Sequence, residues 1–193
     1  MGNREDLLAG AKRCLYEKGY GRTTARDIAS AAGVSLAAIG YHYGSKDALM
    51  NQAMMAAMGE WGDAVGAVLT ETAGVTDPRE RFVAAWDRVL ETFAEYRGLW
   101  TAQFEALAQL DHAEELRAMF DGAQKEARLG LSAIFQGLPE VPDTPDEIAR
   151  GTFYQALLGG LAAQWVVSPD QVPSGKDFLR GLQLVSEGVL GTG

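Results

Sequence analysis

Residues 22–49, RTTARDIASAAGVSLAAIGYHYGSKDAL, hold two short helical windows parted by one glycine, and no other stretch leaves the chain so few ways to fold. Thr24 is placed to N-cap the first window with Asp27 at the third helical position, and Ile28, Ala29 and Ala32 then recur on one helix face. Gly33 ends that helix, because glycine enters the left-handed backbone conformation at no steric cost, and Val34 is left to fill the angle between the two helices. Ser35 is expected to cap a second helix from Leu36 to about Tyr43, small at its start (Ala37, Ala38) and polar-aromatic at its end (Tyr41, His42). A helix of that length, at about 1.5 Å per residue, is a rod of roughly 12 Å, compatible with a DNA major groove about 12 Å wide. Gly44 then breaks the chain, Ser45 caps the next helix, and Lys46 stands in its first turn, where backbone N–H groups favour an anion such as phosphate. Helix pairs of this kind also occur in all-helical proteins that never meet nucleic acid.

The remainder is punctuated as helix throughout. Apolar residues recur at three and four rather than two, with glycines and prolines falling between the windows, so the fold class is all-α with about nine helices. The first helix, about Glu5 to Lys18, turns Leu8, Ala11, Leu15 and Tyr16 toward the helix pair; the fourth, from Lys46, runs on through Trp61 toward Leu69. Asp77, Pro78 and Glu80 supply a cap, a first-turn proline and an acid in helix-starting order, and Thr144, Pro145 and Glu147 repeat the device. Between them the spacing predicts a helix from Pro78 to near Gly98, another from Leu99 to about Leu110, and a longer one through Leu116, Phe120 and Leu131 to Gly137. The last two helices run from Pro145 to about Val167 and from Ser174 or Gly175 to Leu190.

Charge divides the chain unevenly. The net charge is −9, yet residues 1–50 sum to +2 and residues 51–193 to −11, so only the N-terminal segment is electrostatically fit to meet DNA. No apolar run is long enough for a membrane span, and Arg4, Glu5 and Asp6 precede any apolar stretch, which is wrong for a signal peptide. A cytoplasmic protein with no membrane partner is expected. Cys14, the single cysteine, reads as packing.

With those residues in view, TTARDIASAAGVSLAAIGYHYGSKDAL resembles the N-terminal signature of the TetR family of bacterial transcriptional regulators, over about residues 5–58. The resemblance implies a three-helix DNA-binding domain, residues 1–48, and an all-helical ligand-binding and dimerisation domain, residues 49–193. It implies close groove contacts from Ser35, Leu36, Ala37 and Ala38, and phosphate contacts from Thr24, Tyr41, His42 and Lys46, on a palindromic double-stranded operator. Tyr43 is expected to pack in the core instead. Gly40 departs from the family, where a tyrosine is frequent. Between Leu36 and Gly44 the reading helix also lacks Arg, Lys, Asn and Gln, so sequence preference leans on thymine methyls, DNA shape, Arg22 or Arg26. The homodimer of the family forms largely through its last two helices, here carrying Phe153, Ala156, Gly160, Ala163, Phe178, Leu182, Val185 and Val189.

The C-terminal windows are rich in aromatics, and Trp86, Phe93, Trp100, Phe104, Phe120 and Tyr154, with Gln103, Gln124 and Gln155, are the candidate lining of a ligand pocket; Glu105 also lies beside these stripes. Aromatics at helical spacing also make plain core. Few cations lie among them, which suits a small apolar ligand, neutral or cationic. No cofactor, metal site or catalytic constellation is expected: the chain has no HExxH, GxSxG, Walker loop or CxxC, and His112 reads as a surface residue rather than a ligand. The alternative left open is a helical interaction module without sequence-specific DNA binding.

Overall fold

The computed structural model describes residues 3–72 and 74–191, apart from the side chains of His112 and Leu190, so the surface placement expected of His112 lies outside the described residues. Among the described residues there are nine α-helices, two short 3₁₀ turns and no strand: α1 Asn3–Lys18, α2 Ala25–Ala32, α3 Ala37–Tyr43, α4 Lys46–Thr70, α5 Pro78–Glu95, α6 Arg97–Leu107, α7 Glu114–Gln136, α8 Pro145–Val167 and α9 Gly175–Leu190. They pack as two compact units, Met1–Gly62 with Tyr96–Gln124 and Asp63–Glu95 with Lys125–Gly193.

In the first unit α1 packs on α2, α3 and α6. Its buried seam is Leu7, Gly10, Ala11, Cys14 and Leu15, one position before the expected Leu8, which is only half-buried. Gly10 gives the reason for that register: a Cβ there would stand 2.9 Å from the Ala32 amide nitrogen, so only glycine lets α1 and α2 approach so closely. Cys14 is buried, and burial pushes its thiol pKa up, consistent with packing rather than reactivity. Thr23, also buried, donates its hydroxyl to the Gly19 carbonyl at 2.8 Å and so fixes the α1–α2 turn.

Gly98 does not separate two helices as its residue type suggested. The chain breaks at Tyr96, and Gly98 lies in the first turn of α6, where a Cβ would come within 2.6 Å of the Tyr16 carbonyl oxygen of α1. Here glycine serves a close helix crossing, not a stop.

In the second unit Trp86, Val89 and Phe93 of α5 are fully buried, and α9 packs along α5. Trp86 meets Phe178 at 4.5 Å between ring centroids and Phe135 at 5.2 Å, while Phe93 meets Trp165 at 6.2 Å. The start of α9 is locked in place: Ser174 and Asp177 form a reciprocal capping box, and the Gly175 amide donates to Asp87 Oδ1 at 2.7 Å. Thr144 caps α8 through the Glu147 amide, as the sequence indicates. The Glu147 carboxylate, however, turns to Ser132 and Gln136 of α7 and to Arg150, whose hydrogen bonds hold it below the usual carboxylate range.

Candidate DNA interface and ligand cavity

The helix pair is fixed at both ends by short-range polar contacts. Thr24 Oγ1 accepts from the Asp27 amide at 3.2 Å, and Asp27 Oδ2 accepts from the Thr24 amide at 2.9 Å and its hydroxyl at 2.6 Å. Lys18 closes the network at 2.5 Å from Asp27 Oδ1. Its ammonium, then Thr24, hold the Asp27 carboxyl well below the ordinary carboxylate range. At the other end Gly33 takes φ +68°, and its amide and that of Val34 return to carbonyls of α2, closing the turn.

Helix α3 begins one residue later than expected. Leu36 occupies the N-cap in helical conformation with no side-chain cap, and Ser35 contributes its carbonyl to the Ala38 amide at 3.1 Å rather than a hydroxyl cap. Ala38, Ile39 and Tyr43 are buried, so the outward face is Leu36, Ala37, Gly40 and Tyr41. Ala38, at 8% exposure, is therefore placed in the core and not where a base edge could reach it: adjacent helical residues differ by about 100° of rotation, and Ala37 takes the outer position. Tyr41 is 85% exposed and meets His42 edge-on at 4.8 Å. Tyr43 faces inward, its hydroxyl donating to the Arg4 carbonyl of α1 at 2.7 Å. Thr24, Arg26 and Ser35 are exposed.

Ser45 caps α4 by accepting from the Ala48 amide at 3.0 Å, and Lys46 pairs with Asp47 at 2.8 Å. An unexpected participant is Glu105 of α6. Its carboxylate lies 3.4 Å from the Gly21 amide and 3.8 Å from the Arg22 guanidinium, on the α1–α2 turn, so it braces this turn instead of orienting a ligand. Only its partners 83 and 84 residues away in the chain reveal that role.

The nine residues expected to line a pocket are divided between the units. Trp100, Gln103, Phe104, Phe120 and Gln124 belong to the first, where Trp100 packs edge-on against Trp61 at 4.8 Å. Trp86, Phe93, Tyr154 and Gln155 belong to the second. The second unit holds a cavity of about 610 Å³ between the end of α4, the start of α5, the end of α7 and α8. Leu69, Phe82, Ile134, Phe135, Leu138 and Tyr154 give it apolar walls, and Thr70, Arg81 and Gln136 are among its polar residues. Of the nine, Tyr154 alone lines it, stacked on Phe135 at 4.1 Å; Gln155 instead accepts from Arg128 Nε at 3.2 Å. Arg81 and Phe82 carried no signal in the sequence that would mark them as lining.

On α8 and α9, Phe153, Ala156, Gly160, Leu182, Val185 and Val189 are exposed and Ala163 is half-buried, whereas Phe178 packs inward against Phe82 and Trp86. Its half-buried ring completes the aromatic cluster of its own chain. Among the described residues no group of His, Cys, Asp and Glu is arranged to hold a metal ion, and no helix is long and apolar enough to cross a membrane.

A capped helix, a left-handed glycine turn and a short second helix with one outward face define the class: a helix-turn-helix DNA-binding regulator. The sequence model for bacterial regulatory proteins of the tetR family matches residues 7–53, and that for the C-terminal part of BetI-type transcriptional repressors matches residues 78–180. The chain belongs to the TetR family.

It is 32% identical over 127 residues to the transcriptional repressor AcnR of Corynebacterium efficiens, spanning 61% of this chain and 64% of that repressor's length. Identity to the regulator TtgR of Pseudomonas putida is 26% over 178 residues, 88% of this chain and 82% of that one. Among solved structures, a transcriptional regulator from Rhodococcus sp. superposes with a TM-score of 0.66 at 23% identity, covering 97% of both chains. A TetR regulator from Haloarcula marismortui gives 0.63 at 22% identity, covering 96% of this chain and 95% of its own. These likenesses show the same fold.

Proposed function

We propose that the protein is a cytoplasmic repressor that binds a palindromic operator as a homodimer and leaves it when a small molecule binds, with the functional division near residue 48. The observation that carries the reading is the outward face of α3, Leu36, Ala37, Gly40 and Tyr41, all presented to solvent on a helix otherwise anchored in the core. Thr24, Tyr41, His42 and Lys46 grip phosphates, Ser35, Leu36 and Ala37 approach the bases with no bidentate reader among them, and Arg26 stands exposed beside them as a source of sequence preference. Such a head reads thymine methyls and groove shape more than hydrogen-bond patterns. The exposed apolar residues of α8 and α9, Phe153, Leu182, Val185 and Val189, together with Ala156, Gly160 and Ala163, form the subunit contact.

A ligand favouring one spacing of the two reading heads weakens operator binding by the same coupling free energy, typically ~1–3 kcal/mol. Footprinting on the DNA upstream of its own gene, followed by a gel-shift titration, tests the reading. Sequence-selective, salt-sensitive binding is expected, with Tyr41→Ala weakening it by roughly tenfold across sequences and leaving the thermal midpoint unchanged. Binding that is neither selective nor affected by Tyr41→Ala would return the protein to the class of interaction modules.

A further inference from the structure

The scarcity of cations in the C-terminal windows suits a neutral or cationic ligand, but the lining of the second unit's cavity points the other way. Arg81 is the one charged residue among its described lining residues. Glu147 is held by Ser132, Gln136 and Arg150, Glu71 by Arg88, and Asp77 Oδ1 by the amides that open α5. Among the described residues no carboxylate pairs with Arg81. The hydroxyls of Thr70 and Thr72 are spent on the carbonyls of Gly66 and Leu69, each at 2.8 Å. Tyr154, stacked on Phe135, carries a hydroxyl that none of the described hydrogen bonds uses.

Behind the wall lies one more polar group. The Trp86 indole N–H is buried without an acceptor, and its ring stands 6.0 Å from Phe82 and 5.2 Å from Phe135, both of which line the cavity. Arg81 is thus the one charged group among the described lining residues, and the cavity's volume falls within the range of roughly 300–1,000 Å³ typical of small-molecule pockets.

We propose that the cavity takes an amphipathic organic anion, an arylalkyl carboxylate, with its head group on Arg81 and its ring among Leu69, Phe82, Ile134 and Phe135. This deepens, and rests on, the reading of the second unit as the ligand-sensing part of a regulator. Because Arg81 is exposed, the head group stays near water while the apolar body takes the interior, so the charge contributes selectivity more than bulk affinity.

Isothermal titration calorimetry of the full chain with phenylbutyrate, phenylbutyramide and phenylbutylammonium tests it. Phenylbutyrate should bind best, with the amide and the ammonium weaker by roughly fivefold or more. Arg81→Gln should bring carboxylate and amide level, and Arg81→Glu should place the ammonium first. Both substitutions fall on an exposed side chain, and the folded state is checked by an unchanged thermal midpoint. Equal binding of the ammonium by the unaltered chain, an order that survives Arg81→Glu, or no binding of any of the three would overturn the proposal. Operator binding measured without ligand is a separate readout, so failure of the ligand class and failure of the regulator reading are told apart.

Discussion

Helices α2 and α8 both begin at a threonine cap, and both lean on a glycine that lets a neighbouring helix come close, yet they are determined over different distances in the chain. Around α2, the Thr24–Asp27 box, Lys18 and Gly33 all lie within sixteen residues of one another, and the acid at the third helical position answers its own cap. Around α8, the Glu147 amide serves the cap while its carboxylate binds Ser132 and Gln136, 15 and 11 residues back on α7, and Arg128 reaches Gln155 across 27 residues. The cap and the turn of α2 are thus shaped by local chemistry, with Glu105 of α6 as a distant brace on the turn before it. The α7–α8 pair takes its register from long-range packing, the kind of arrangement that a ligand binding between side chains can bias.

The largest expected effect comes from forcing that packing apart. Gly151 of α8 is buried against the backbone of Arg128, and a Cβ built on it would overlap the Arg128 carbonyl. Gly151→Val should therefore destabilise the protein by about 3 kcal/mol, a fall of roughly 6–12 °C in thermal midpoint measured by circular dichroism. An unchanged midpoint would mean that α7 and α8 can slide freely, and the contrast with α2 would collapse.

A smaller effect of opposite sign is expected at Gly40. It lies on the outward face of α3, and a Cβ there would meet nothing within 4 Å. Gly40→Ala should stabilise the helix by up to about 1 kcal/mol, raising the midpoint by roughly 2–4 °C. If the glycine serves close approach to DNA, operator affinity falls while stability rises. A rise in both would show that α3 carries slack unrelated to reading.

What could be read from the chain alone follows the same division. Caps at Thr24, Ser45 and Thr144 and the turn at Gly33 were legible because each signal and its partner lie within a few residues. Gly98 was not, since a glycine inside a helix resembles a stop until its neighbour Tyr16, 82 residues earlier, is in place. In the reading helix, residue type marked Ala37 and Ala38 equally, and only the packing of Ile39 and Tyr43 turned one alanine out and the other in. The cavity was least legible: Phe82, Phe135 and Tyr154 line it because helices distant in sequence bring them together, while Phe104 and Phe120, with the same periodicity, belong to the other unit.

The smallest expected effect sharpens the account of how local the reading head is, through pH. The Asp27 carboxyl is held well below its ordinary value by the Lys18 ammonium and by Thr24, whereas the same residue in the unfolded chain titrates near about 3.9. Because the folded value is the lower one, the network's contribution is complete above the unfolded value and is lost as pH falls through the folded one. Asp27→Asn removes the charge while keeping an acceptor for the cap. The gap in unfolding free energy between the original chain and this variant should stay constant from neutral pH to about pH 5 and close below it. Both partners are partly exposed, with side-chain exposures of 45% for Lys18 and 26% for Asp27, so the gap should also shrink in high salt. A gap that instead closes as pH rises through neutrality would assign the stability of α2 to another group and separate the cap from the anchoring of the head.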